Sequence, residues 1–103
     1  MPTPRILPPP VESLNPTQKR VYDATVRNLG APIGPRMVLL NHPELADKWA
    51  ALGDVLKRAE FAASVRELVI LLVARHWRAD FEWYAHEPNA RRAGLAPAVI
   101  EAI

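Results

Sequence analysis

Hydrophobic residues along this chain recur mostly at intervals of three and four, the spacing of one face of an α-helix. Asn15-Pro16 is a helix start, in which Asn caps the helix and Pro takes its first position. The apolar pattern then runs to residue 29, and Gly30 can end the helix in the left-handed conformation. No segment alternates apolar and polar residues as a half-buried strand would. The pattern predicts an all-α fold.

Two more elements are predicted in the next part of the chain. A loop is expected over residues 31–36, which hold two prolines and a glycine, and one short turn of helix over 37–40. Pro43 opens a longer helix. Its apolar residues fall at steps of three and four, and we interpret them as core: Leu45, Trp49, Leu52 and Leu56.

The next helix carries the strongest hydrophobic signal. Ser64-Val-Arg-Glu67 matches a capping box, in which the Ser and Glu side chains bond backbone amides at the helix start. Residues 68–74 are apolar on every face, which predicts a helix at the buried centre of the fold. A further long helix is expected over 80–93, kinked or divided by Pro88. Gly94 would end it, and Leu95-Ala-Pro97 begins one more.

The chain begins with a segment of different composition. Six of its 11 prolines lie in residues 1–16. Because proline fixes φ and lacks a backbone donor, residues 1–14 are predicted to form an extended arm, either loose or lying over a neighbouring subunit. Residues 15–103 would form a single helical domain, since 103 residues are too few for two.

Composition excludes several classes of function. The charges, 13 Lys+Arg and 11 Asp+Glu, are interspersed and sum to only +2, so no nucleic-acid partner is expected. No apolar run is long enough for a signal peptide or a membrane span, so we expect no membrane partner and a cytoplasmic location. The chain has no cysteine, which excludes disulfides, thiolate metal sites and cysteine nucleophiles.

One pair of side chains suggests proton chemistry. Glu82 and His86 are four residues apart, so on a helix they share one face and can form a hydrogen bond. A carboxylate beside an imidazole fixes the tautomer of the ring, which suits general acid–base catalysis. Such pairs are also common on solvated helix faces, so the spacing alone does not assign a function.

A longer pattern surrounds this pair. It comprises Arg66-Glu67-Leu68, Val73-Ala-Arg-His76, Glu82-Trp83-Tyr-Ala-His86, Ala90 and Gly94-Leu95, preceded by Asn41-His-Pro-Glu-Leu-Ala46, Trp49 and Leu52-Gly53. Over roughly residues 36–103 the chain thereby resembles the carboxymuconolactone decarboxylase and AhpD-like superfamily. The resemblance implies an AhpD-like helical domain, truncated here at its C-terminal end. It also implies a homo-oligomer, a trimer or a multiple of one.

Members of this superfamily that reduce hydroperoxides use a glutamate and a histidine to relay protons to two cysteines. Glu67 and His86 match the glutamate and the histidine, whereas Ala79 and Glu82 occupy the cysteine positions. Disulfide exchange is impossible without a thiol, so we expect no thiol peroxidase activity. The resemblance therefore implies His86, Glu82 and Glu67 as catalytic residues of a different reaction.

The decarboxylase members need no cofactor and act on carboxylated lactones, whose loss of CO₂ leaves an anion that must be protonated. The resemblance thus implies a cofactor-independent carboxy-lyase acting on a small carboxylate or lactone, with His86 as general acid/base. Cations would hold the substrate, and the binding residues implied are Arg66, Arg75, Arg91 and Trp83, with His76 and Arg92 nearby. The alternative is a non-catalytic helical assembly or ligand-binding protein that kept the family scaffold.

Other interpretations of the same residues stand beside this one. Glu67, Glu82 and His86 could bind iron, manganese or zinc. Carboxylate-bridged helical bundles place the histidine three residues after the glutamate, and here the spacing is four, so we predict no metal. Glu67 could be a capping residue only. We predict that the three side chains converge on one cavity, lined partly by Trp83 or Phe81. At least one of four arginines should reach it: Arg66, Arg75, Arg91 and Arg92.

Overall fold

The structure, a computed structural model, describes residues 3–30 and 34–103. Within these ranges all regular structure is helical and no strand occurs. The α-helices are α1 (Pro16–Leu29), α2 (Pro35–Leu39), α3 (Pro43–Arg58), α4 (Ala63–His76), α5 (Asp80–Arg92) and α6 (Pro97–Ala102). The all-α prediction is confirmed.

The chain divides into two compact units, Met1–Leu56 and Lys57–Ile103. Each unit has its own hydrophobic cluster. In the first, the buried residues are Val21, Leu40 and Ala46, and in the second they are Leu71, Ala90 and Ile100. The single domain expected over residues 15–103 stays a prediction.

The first unit begins with the arm and α1. Residues 3–14 contain no α-helix, although Val11–Ser13 forms one 3₁₀ turn. The predicted N-cap of α1 is confirmed, because the Asn15 side chain accepts a hydrogen bond from the Gln18 backbone amide at 2.8 Å. The predicted end is also confirmed, since Gly30 has a φ of 77°.

The connection to α3 differs in part from the prediction. Residues 31–33 of the expected loop lie outside the described residues. The loop prediction is wrong for Pro35 and Arg36, because Pro35 already occupies the first position of α2. The short helix expected at 37–40 is present but begins earlier, and α3 opens at Pro43 as predicted.

The predicted core face of α3 is wrong. The buried residue of this helix is Ala46, which belongs to the cluster with Val21 and Leu40. A small side chain at this position allows the backbone of α3 to approach its neighbours closely. The apolar stripe of larger residues lies on an exposed side of the helix and comprises Leu45, Trp49, Leu52 and Leu56.

In the second unit, α4 packs against α5. The expectation that α4 is buried on every face is wrong, because Glu67, Leu71 and Ala74 are buried whereas other apolar residues are exposed. The exposed ones, which we call the α4 stripe, are Val65, Val69, Leu72 and Val73. Only the side of α4 that faces the unit's own core is covered.

The capping box predicted at Ser64 is also wrong. Helix α4 begins at Ala63 after the N-cap Ala62, and no side chain bonds to the cap. Ser64 is therefore the second helical residue and Glu67 the fifth, which places Glu67 too far inside the helix to reach the N-cap amide. Its carboxylate is free for another partner.

Helix α5 carries the remaining candidate residues. It passes through Pro88 as one continuous helix, so the division expected there does not occur. Gly94, with a φ of 91°, follows its end, and α6 begins at Pro97 as predicted. Among the described residues, none of the helices combines the length and the hydropathy of a membrane span.

Candidate functional site

A buried carboxylate and a histidine form the centre of the candidate site. His86 Nδ1 on α5 lies 2.7 Å from Glu67 Oε2 on α4. The side chain of Glu67 is 5% exposed and that of His86 is 27% exposed. Because an ionised carboxylate can only accept, the hydrogen bond places a proton on Nδ1. The neutral ring therefore has Nε2 free as a base, and the protonated ring has Nε2–H available as an acid.

The second predicted carboxylate lies beside the other ring nitrogen. His86 Nε2 is 3.6 Å from Glu82 Oε2, which is too long for a hydrogen bond but close enough for a charge interaction. The Glu82 side chain is 39% exposed. The imidazole thus lies between a buried carboxylate that holds it and a more accessible carboxylate that can exchange protons with water. The three side chains are thus neighbours, with His86 between the two carboxylates.

Arg66 completes the surroundings of Glu67. Its Nε lies 3.7 Å from Glu67 Oε1, the oxygen that His86 does not contact. Each carboxylate oxygen therefore has a cationic or hydrogen-bonding group nearby. A buried carboxylate is costly without such partners, and Arg66 provides a positive charge near this one. This contact gives Arg66 a role within the site other than the predicted binding of substrate.

The other predicted binding residues divide into two groups. The Arg75 guanidinium lies over the Trp83 ring, 4.6 Å from its centroid. Arg91 instead pairs with Glu87 one turn away on α5, at 2.9 Å, on an exposed side of the helix. Arg75 and Trp83 are thus brought together, whereas Arg91 is held by another partner.

The single cavity expected around the three side chains is not present in that form. A groove of about 460 Å³ lies between the end of α4 and the start of α5. It is lined by Ala74, Arg75, Arg78, Ala79, Asp80 and Trp83. None of the three predicted catalytic residues lines this groove, and Phe81 does not line it either. The groove is nevertheless adjacent, because Trp83 and His86 are three residues apart on α5 and so lie on neighbouring turns of one face.

Sequence reasoning missed Arg78. It follows the end of α4 and has a φ of 52°, a left-handed conformation that is uncommon for residues other than glycine. The sequence did carry one signal. A left-handed residue usually follows the end of a helix, and no glycine is present between α4 and α5 to take that position.

The metal alternative has no geometric support. In residues 3–30 and 34–103, no three His, Asp or Glu side chains are placed so that they could hold one metal ion. Glu67 and Glu82 lie at opposite nitrogens of the His86 ring, and this separates the two carboxylates.

Comparisons with protein-family models, with curated proteins and with solved structures find no match for this chain. The geometry of Glu67, Glu82 and His86 is therefore the basis for a functional proposal.

Proposed function

We propose that this chain is a carboxymuconolactone decarboxylase-like protein with the AhpD-like fold. It is a cofactor-independent lyase for a small carboxylated or lactone substrate, with His86 as general acid/base. The observation that carries the proposal is the 2.7 Å bond from His86 to the buried Glu67. A buried carboxylate bonded to Nδ1 fixes the tautomer and the orientation of the ring, which positions Nε2 for proton transfer.

The residues account for each part of the reaction. The C–C bond between the carboxylate group of the substrate and the adjacent carbon breaks, CO₂ leaves, and the electron pair delocalises onto the carbonyl group of the substrate. Nε2–H of the protonated His86 then delivers its proton to the carbon that lost CO₂. Glu67 stabilises the imidazolium, and water beside the more exposed Glu82 returns a proton to the ring.

Turnover in deuterium oxide tests the proposal. The protein is incubated with a carboxylated butenolide lactone, and the product is examined by NMR. We expect CO₂ release above the buffer control and deuterium on one face only of the carbon that lost CO₂, because a fixed acid protonates from one side. No release, or deuterium on both faces equally, would contradict a lyase with a positioned acid.

The α4 stripe favours the alternative function, a helical assembly. Val65, Val69, Leu72 and Val73 follow the spacing of one helix face and are exposed. Contiguous exposed apolar surface of this kind commonly marks an interaction site. In this proposal copies of the chain associate through the stripe as a homo-oligomer, a trimer or a multiple of one.

Light scattering after size exclusion tests the assembly. At micromolar concentration we expect an oligomer, and Leu72→Glu should reduce its mass because a carboxylate would be buried at the contact. Val99→Glu is the matched control, since it places the same charge at an exposed apolar position on α6. A stable monomer, or equal effects of the two substitutions, would exclude the stripe as the interface.

A further inference from the structure

The groove between α4 and α5 has the size of a small-molecule site. Its volume of about 460 Å³ lies in the range of roughly 300–1,000 Å³ that is usual for ligand pockets. Two of its lining residues, Arg75 and Arg78, carry guanidinium groups. The groove therefore combines a cationic rim with an aromatic wall, Trp83.

Neither guanidinium group of the groove is neutralised by a carboxylate, in contrast to three other arginines of the chain. Arg20, Arg66 and Arg91 form ion pairs with Asp47, Glu67 and Glu87. Within the described part of the chain, Arg75 and Arg78 have no carboxylate within ion-pair distance. Two like charges on one groove repel, and an oxyanion between them would relieve that repulsion.

Arg75 is positioned before any ligand arrives. Its guanidinium lies over the Trp83 ring at 4.6 Å, and Trp83 packs against the buried cluster of the second unit. The aromatic ring thus restrains a side chain that is otherwise flexible, which lowers the entropic cost of binding. The edge of a stacked guanidinium still presents its N–H donors in the fork that matches a carboxylate.

Arg78 occupies a backbone position that is unfavourable for it. The Ala79 amide donates to the Ala74 carbonyl at 2.8 Å, as in the usual left-handed ending of a helix. Glycine is the favoured residue at φ 52°, and an arginine there is strained. The side chain is exposed, so it gains no burial in return. The strain is understandable if the guanidinium has a ligand.

Asp80 is the one acidic residue that lines the groove. It lies in the first turn of α5, where the helix dipole favours a carboxylate. It forms no ion pair with either arginine. With two arginines and one aspartate, the groove therefore has a net positive charge.

From these observations we infer that the groove binds the carboxylate of a small organic acid, held by Arg75 and Arg78. The groove would be the part of the proposed lyase that anchors the substrate. The choice of a carboxylate rather than another oxyanion rests on that proposed function. Trp83 and His86 are on neighbouring turns, so a molecule in contact with Trp83 is next to the turn that carries the histidine. The anchored carboxylate is one that the molecule keeps, because two guanidinium groups would stabilise it against loss as CO₂.

Binding of benzoate to the protein tests the inference without requiring catalysis. The three tryptophan indole signals are followed by NMR and assigned with Trp→Phe variants. We expect benzoate to shift the Trp83 signal saturably, and the neutral isostere benzamide to leave it unchanged. Arg78→Gly and Arg75→Gln should each weaken benzoate binding by about tenfold or more, because each removes a charged hydrogen-bond donor.

Matched variants separate loss of the ligand contact from loss of the fold. Arg78→Gly should melt at the same or a higher temperature, since glycine suits φ 52°. Arg27→Gln removes an exposed arginine of α1 and should not change the affinity. Asp80→Asn should tighten binding by about twofold or more, because it removes a negative charge from the groove.

The outcomes distinguish the groove from the proposed reaction. Undiminished benzoate binding by Arg78→Gly, or no benzoate effect on Trp83, would overturn the inference. Binding of inorganic phosphate without benzoate would assign the groove to phosphate and also contradict it. If His86→Ala binds benzoate normally while the wild-type protein shows no lyase turnover, the groove stands and the proposed function fails. If the protein turns over the substrate and neither arginine substitution changes KM, the proposed function stands and the inference about the groove fails.

Discussion

His86→Ala should lower the turnover number of the proposed lyase by about 10²- to 10⁴-fold, the usual contribution of a positioned general acid. The substitution removes both the proton donor and the only ring that contacts Glu67 at hydrogen-bond distance among the described residues. Its effect should fall on kcat more than on KM, because His86 does not line the groove that we infer to hold the substrate.

Two further variants make this result specific. His76→Ala replaces an exposed histidine at the end of α4 and should leave kcat within about twofold, since surface substitutions away from a site are nearly neutral. Glu67→Gln keeps a hydrogen-bond acceptor for Nδ1 but loses the charge that stabilises the imidazolium, so its kcat should lie between those of the wild type and His86→Ala. Equal activity of His86→Ala and His76→Ala would remove His86 from the mechanism.

Leu71→Ala should lower the free energy of unfolding by about 2–5 kcal/mol. Leu71 is 0% exposed and lies in the cluster with Ala90 and Ile100, so truncation leaves a cavity between α4, α5 and α6. Because α4 also carries Glu67, the variant should lose part of its activity near its unfolding midpoint. Urea denaturation followed by circular dichroism measures the loss.

The neighbouring residue supplies the control. Leu72 has the same side chain on the same helix but is 49% exposed. At concentrations too low for association through the α4 stripe, Leu72→Ala should therefore cost less than about 1 kcal/mol. A loss as large as that of Leu71→Ala would show that the α4 stripe is covered in the protein in solution, and the difference in burial between the two leucines would not hold there.

The ends of helices could be predicted from the sequence because short local signals determine them. Asn15 and Pro16 begin α1, Gly30 ends it, and Pro97 begins α6. Each signal acts through backbone groups within one turn of the helix. Ser64 shows the limit of this reasoning, because α4 has its N-cap at Ala62, two residues before the predicted one, and Ser64 and Glu67 then have no capping role.

The buried faces were harder to predict because they depend on other helices. The stripe of Leu45, Trp49, Leu52 and Leu56 has the spacing of a core face, yet α3 turns Ala46 inward. Periodicity shows that a helix has an apolar side and does not show which neighbour covers it. The same applies to α4, where an all-round apolar run left the position of its partners open.

The site was predicted in part from spacing and in part from resemblance. The i,i+4 spacing identified Glu82 and His86, but the closer partner of His86 is Glu67, nineteen residues away. No local rule predicts a contact over that separation, and the resemblance supplied it. The missing glycine between α4 and α5 did not by itself identify Arg78, because the left-handed residue is fixed by where α4 ends, which the sequence predicted only approximately.

Gln18 links two elements of the first unit through one amide group. Its Oε1 accepts from the Asn15 backbone amide at 2.9 Å, and its Nε2 donates to the Leu40 carbonyl at the end of α2, also at 2.9 Å. Both bonds depend on a single side-chain rotamer. When α2 releases Leu40 and the Gln18 side chain changes rotamer, the Asn15 amide loses its acceptor as well. The two bonds are therefore expected to open together, so the Asn15 amide hydrogen should exchange about as often as α2 releases Leu40.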